Sequence, residues 1–157
     1  MAASDARGPQ PGSLFYLQTP FKEYNAQFSP DGRWMAYTSD ESGREEVYVQ
    51  AVPATGAKWP ISTAGGSRAR WRRDGKELFY LALDQRLMSV AVKAGPSFEA
   101  GIPQPLFQTS IPSAVQPYQF FYTPSPDGQK FLMTVAAGDA AQSPITVVLN
   151  WQAGLRK

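Results

Sequence analysis

The chain has 157 residues with 15 Lys and Arg against 13 Asp and Glu, a net charge of +2 that is too small and too mixed to imply a nucleic-acid partner. It contains no His and no Cys, which excludes a Ser-His-Asp triad, a Cys-His pair, disulfides and any zinc centre built on those ligands. With 43% hydrophobic and 18% charged residues it has the composition of a folded globule large enough for one core.

In chain order, Met1 to Gly12 is small and polar and is read as a disordered segment ahead of a repeat domain spanning 13–157. It lacks the apolar core of an export signal, and no stretch approaches 18 apolar residues, so the chain as given is expected in the cytoplasm without membrane contact. Leu14 to Thr19 reads as a first strand. The first repeat then places Gln27-Phe28, Arg33 to Ser39, Glu45 to Val52 and Lys58 to Thr63 on successive strands. The second places Arg68 to Arg72, Lys76 to Leu83, Arg86 to Lys93 and Leu106 to Thr109, with a detour over 94–105. The third places Tyr118 to Tyr122, Lys130 to Ala136 and Ile145 to Trp151.

Each repeat carries one turn: Pro30-Asp31-Gly32, Arg73-Asp74-Gly75 and Pro126-Asp127-Gly128. Pro presets φ, Asp bonds the backbone two residues on, and Gly takes a positive φ, so each tripeptide closes a hairpin. The three Asp are therefore read as turn-formers rather than as carboxylates meeting at one site. The spacings of 43 and 53 residues suit one four-stranded propeller blade per repeat. The expected fold is all-β, a partial β-propeller of about three four-stranded antiparallel blades, open as a single chain and completed by a homodimer.

The run Phe28-Ser29-Pro30-Asp31-Gly32-Arg33-Trp34-Met35-Ala36-Tyr37 resembles the TolB-type, WD40-like repeat of bacterial propellers. The fuller run from Phe28 through Gly66, with Trp71 to Leu81 and the ending Ile145 to Trp151, is similar to the C-terminal propeller of bacterial serine/threonine kinase-like proteins over roughly residues 14–153. That resemblance implies a fold and no particular reaction, since such repeats also occur beside peptidase domains.

Antiparallel strands send alternate loops to opposite ends of a blade. The end away from the Asp-Gly turns gathers Asp40, Glu41, Asp84, Asp139 and Glu23, and a ligand is expected there. On the innermost strand of the second blade, Arg68, Arg70 and Arg72 alternate with Ala69 and Trp71, which on a regular strand puts three guanidinium groups on one face. They suit a clamp for an anion or carboxylate; the plainer alternative is pairing with neighbouring acids.

The leading functional reading is a binding or scaffold module for a protein segment or small anionic ligand. The alternative is a Ca²⁺-dependent hydrolase of small esters or lactones, with Asp40, Asp84 or Asp139 as base and Asp40, Glu41, Asp84, Asp139 and Glu23 around the metal. A third reading is a segment of a longer propeller with no activity of its own. Trp34, Trp59, Trp71 and Trp151 are read as packing residues between blades.

Overall fold

The computed structural model describes residues 19–111 and 121–135, and the backbone of 145–149. The expected strand at Leu14, Asp139, the loop at Val115-Gln116 and the polar segment 1–12 lie outside these residues. Among the described residues twelve strands form three antiparallel sheets, and there is no helix. None is therefore long and apolar enough to cross a membrane.

Blade one is β1 (Glu23–Phe28), β2 (Trp34–Ser39), β3 (Glu46–Ala51) and β4 (Lys58–Pro60), paired in that order. Blade two is β5 (Ser67–Trp71), β6 (Glu77–Leu81), β7 (Arg86–Ala94), β8 (Phe98–Ala100) and β9 (Gln104–Gln108). Blade three is β10 (Tyr122–Pro124), β11 (Lys130–Thr134) and β12 (Ile145–Leu149).

The three turns share one construction. Gly32, Gly75 and Gly128 have φ of 70°, 70° and 71°, and each donates its N–H to the carbonyl three residues back, at 2.9 Å. Asp31 Oδ1 accepts the Ser29 hydroxyl at 2.6 Å and the Arg33 N–H at 3.1 Å. Asp127 does the same with Ser125 at 2.5 Å and the Gln129 N–H at 3.0 Å. In the second copy Arg72 stands where the others have Ser, and its guanidinium takes over the contact, Nε to Asp74 Oδ1 at 2.7 Å and Nη2 to Oδ2 at 2.9 Å. Each carboxylate is engaged within its own turn.

Blade two differs from the sequence reading. The detour over 94–105 contains a strand: β8 pairs with the end of β7, Val92 opposite Ala100 and Ala94 opposite Phe98, while β9 pairs with the start of β7. A strand of three residues with one large apolar side chain has too little pattern to read in isolation. Blade one's outer strand is shorter than expected, because Ile61 and Ser62 both donate N–H to Val47 O and the Ser62 hydroxyl turns inward to Glu46.

The blades stack through alternate side chains. On β6, Leu78 and Tyr80 enter a core with Trp34, Ala36, Val47 and Val49 of blade one, whereas Phe79 and Leu81 enter a second core with Phe121, Tyr122, Phe131 and Met133 of blade three. Period two thus makes the middle sheet apolar on both faces. Phe98 of β8 reaches into the first core, its ring centroid 5.1 Å from Trp34, 5.5 Å from Trp59 and 6.4 Å from Trp71. Those three tryptophans are packing residues, as expected. On β11 the alternation separates two faces: Phe131 and Met133 are buried against blade two, while Lys130, Leu132 and Thr134 are exposed.

Candidate functional site between the inner strands

The innermost strands β1, β5 and β10 carry equivalent positions. Phe28, Trp71 and Pro124 each sit opposite the second strand's corresponding residue, Met35, Leu78 and Phe131, which aligns Gln27, Arg70 and Thr123 one residue earlier. These three, with Trp71, Arg73, Pro124, Ser125 and Pro126, line a cavity of about 410 Å³. Its described lining residues supply two guanidinium groups, two hydroxyls and an amide, with no carboxylate among them.

Gln27 also stitches blade one to blade two: its Oε1 accepts the Trp71 N–H at 3.1 Å and its carbonyl accepts the Trp71 indole N–H at 3.2 Å. Arg70 is half-buried; that burial lowers its pKa from the ordinary guanidinium value, and the Tyr122 phenol works in the opposite direction. An arginine in such a setting keeps its charge at neutral pH.

The arginine row divides three ways. Register shifts between Ser67 and Arg70, and Arg68 has φ of 59°, so a bulge breaks the strict alternation on which one shared face depended. Arg68 packs over Phe121, 5.3 Å from the ring centroid, and lines a different cleft. Arg72 is held by Asp74 and by Glu77 Oε2 at 2.5 Å, which is the plainer alternative realised: it is a turn residue. Arg70 is the member that faces the inner-strand cavity. Its companion there is Arg73, which the sequence reading passed over. The available signal was its place in the turn, where the other copies have Pro30 and Pro126.

The cavity takes Arg73, Ser125 and Pro126 from the Asp-Gly turns, so it opens at the end opposite to the one expected. A larger groove of about 580 Å³ lies at the same end between the Asp31 and Asp74 turns; Lys76 and Lys93 line it together with those acids, which gives it no dominant sign.

The acids at the other end have local partners. Asp40 accepts the Lys22 N–H at 2.9 Å, Glu41 pairs with Lys58, Asp84 accepts the Arg86 N–H at 3.1 Å, and Glu23 accepts the Thr19 hydroxyl. Among the described residues no three such side chains gather in a metal-holding group. A buried acid absent from the predicted set, Glu46, is 3% exposed and accepts from Ser62, from the Gly65 N–H at 2.9 Å and from Arg44 Nε at 2.7 Å. It ties the loop before β3 to the loop before β5.

The profile of the prolyl oligopeptidase N-terminal β-propeller domain matches residues 20–94. Similar solved structures include TolB from Acinetobacter baumannii, with a TM-score of 0.57 and 19% identity over 80% of this chain and 29% of that one. A protein described as a TolB from Agrobacterium tumefaciens has a TM-score of 0.53 and 17% identity over 82% of this chain and 44% of that one. No curated protein matches the chain.

The chain is an all-β, partial propeller of TolB-like fold. It spans less than half the length of either TolB structure. The narrower likeness to propellers of kinase-like proteins stays a resemblance of sequence.

Proposed function

We propose that the chain is a propeller binding module that takes an anionic protein segment or small anionic ligand between the inner strands of blades two and three. The observation that carries this reading is the cavity in which Arg70 and Arg73 stand among Thr123, Ser125 and Gln27, with no carboxylate among the described lining residues. Guanidinium groups pair with carboxylates through two parallel hydrogen bonds, and a half-buried one binds more strongly than one in open water.

The test is fluorescence anisotropy with a labelled acidic peptide and with citrate as competitor. Arg70→Gln and Arg73→Gln are each expected to weaken binding about tenfold, the loss of one charged hydrogen-bonding group, and added salt to weaken it further. Arg73 is exposed, so its variant reports on binding without touching the core. Affinity unchanged in both variants would refute the reading.

The reading extends to self-association. Leu132 is 45% exposed on the β11 face that points away from blade two, an apolar contact of the kind that blades bury against each other. A second copy supplies that neighbour in a closed ring.

A further inference from the structure

At the end of the blades away from the Asp-Gly turns lies a second cleft of about 170 Å³, whose lining includes Glu45, Ser67, Arg68, Leu81, Leu83 and Ile111. Three observations set it apart from an ordinary surface hollow.

The first is backbone strain. Arg68 has φ of 59°, a left-handed conformation that arginine rarely adopts. The matching bulge in β1 has Asn25 at φ 54°, and asparagine tolerates that region. In β5 the conformation is held by the Tyr122 hydroxyl, which donates to the Arg68 carbonyl at 2.8 Å. The guanidinium is also oriented, over the Phe121 ring and with Nη1 donating to Ser67 Oγ at 3.1 Å. Bulges and strained non-glycine residues concentrate where a side chain has to be aimed.

The second is opposite charge within one lining. Glu45 lines the same cleft, and both groups act on the Tyr24 phenol: burial, then the Glu45 carboxylate, push its pKa well above the ordinary tyrosine value, while Arg68 pulls it down. A cation and an anion thus lie within electrostatic reach of one buried hydroxyl.

The third is an aliphatic wall. Leu81 and Ile111 are buried, and Leu83 lies so close over Gly65 that a Cβ there would meet it at 2.3 Å. At about 170 Å³ the cleft is below the range of drug-sized pockets.

We propose that this cleft binds a free aliphatic α-amino acid, its carboxylate paired with Arg68, its ammonium with Glu45 and its side chain against Leu81, Leu83 and Ile111. The site is separate from the Arg70 cavity and stands or falls independently of it.

The experiment is calorimetric titration of the full chain with L-valine, valinamide, which lacks the carboxylate, and 3-methylbutanoate, which lacks the ammonium. Valine is expected to bind at least tenfold more tightly than either analogue. Arg68→Asn is expected to lose valine binding at least tenfold while melting at or above the wild-type temperature, because asparagine suits the local φ. Glu45→Gln is expected to weaken valine to a similar degree but to leave 3-methylbutanoate unchanged or improved. Arg70→Gln is expected to leave valine affinity unchanged, which separates this site from the inner-strand cavity. Absence of saturable heat at millimolar valine, equal affinity for valine and valinamide, or valine binding that survives both Arg68→Asn and Glu45→Gln would overturn the proposal.

Discussion

Replacing Phe98 by Ala tests whether the short strand β8 is part of the joint between blades one and two. The side chain is 4% exposed and is packed among Trp34, Trp59 and Trp71. An aromatic side chain buries on the order of 150 Å² or more, worth about 4 kcal/mol at 25 cal/mol per Å². Truncation also leaves a hole, and Phe-to-Ala changes in cores cost about 3–5 kcal/mol. Against a typical domain stability of about 5–15 kcal/mol, that is a large fraction. Urea unfolding followed by tryptophan emission is the assay, since three of the four tryptophans touch the altered site. With a slope of about 1–3 kcal/mol per M, the midpoint should fall by at least about 1 M, with red-shifted native emission. Ile102→Ala is the control: Ile102 lies just beyond β8, is 81% exposed, and its loss should change stability by less than about 0.5 kcal/mol. A Phe98→Ala loss below about 1 kcal/mol with unchanged emission would refute the assignment of β8 to the core.

Gln85→Gly should stabilise the chain by about 0.5–1 kcal/mol, because Gln85 holds φ of 65° at the turn position that Gly43 fills in blade one; a lower melting temperature would count against the equivalence. The pKa values of Asp31, Asp74 and Asp127 are lowered, first by hydrogen bonds from Ser29, Arg72 and Ser125 respectively, so the folded state holds fewer protons than the unfolded one in mild acid. Their contribution is therefore complete above the unfolded carboxylate pKa of about 3.9 and is lost as pH falls through the lowered values. With no His in the chain, urea midpoints should stay nearly flat from about pH 5 to 8 and drop below about pH 4; a transition near pH 6 would contradict this. Light scattering across micromolar concentrations should show a dimer, and Leu132→Lys should shift it toward monomer; a monomeric wild type would remove the self-association proposal. Exhaustive chelation should leave the melting temperature unchanged, because the described loop acids have local partners; a fall reversed by Ca²⁺ would point to a metal site.

Much of the fold was legible because it is written locally. A Pro-Asp-Gly or Arg-Asp-Gly tripeptide closes its hairpin with groups no more than five residues apart, as the Ser29 and Ser125 contacts show. The continuous apolar run Leu78 to Leu81 on β6 likewise suits a strand buried on both faces. Even the pairing of Arg72 was within reach, since its partner Asp74 is two residues away and Ser fills its place in the other copies.

What only the tertiary structure decided depends on residues far apart in the chain. Three residues around Phe98 become a strand because blade one offers Trp34 and Trp59 to receive that ring. The arginine row splits because a bulge at Arg68, held by the Tyr122 hydroxyl 54 residues away, turns one guanidinium toward Phe121 and leaves Arg70 beside Thr123 and Arg73. Spacing along a strand predicts side-chain direction only while the ladder is regular. Where the register shifts, packing between blades chooses the direction, and with it the end of the propeller at which the positive cavity opens.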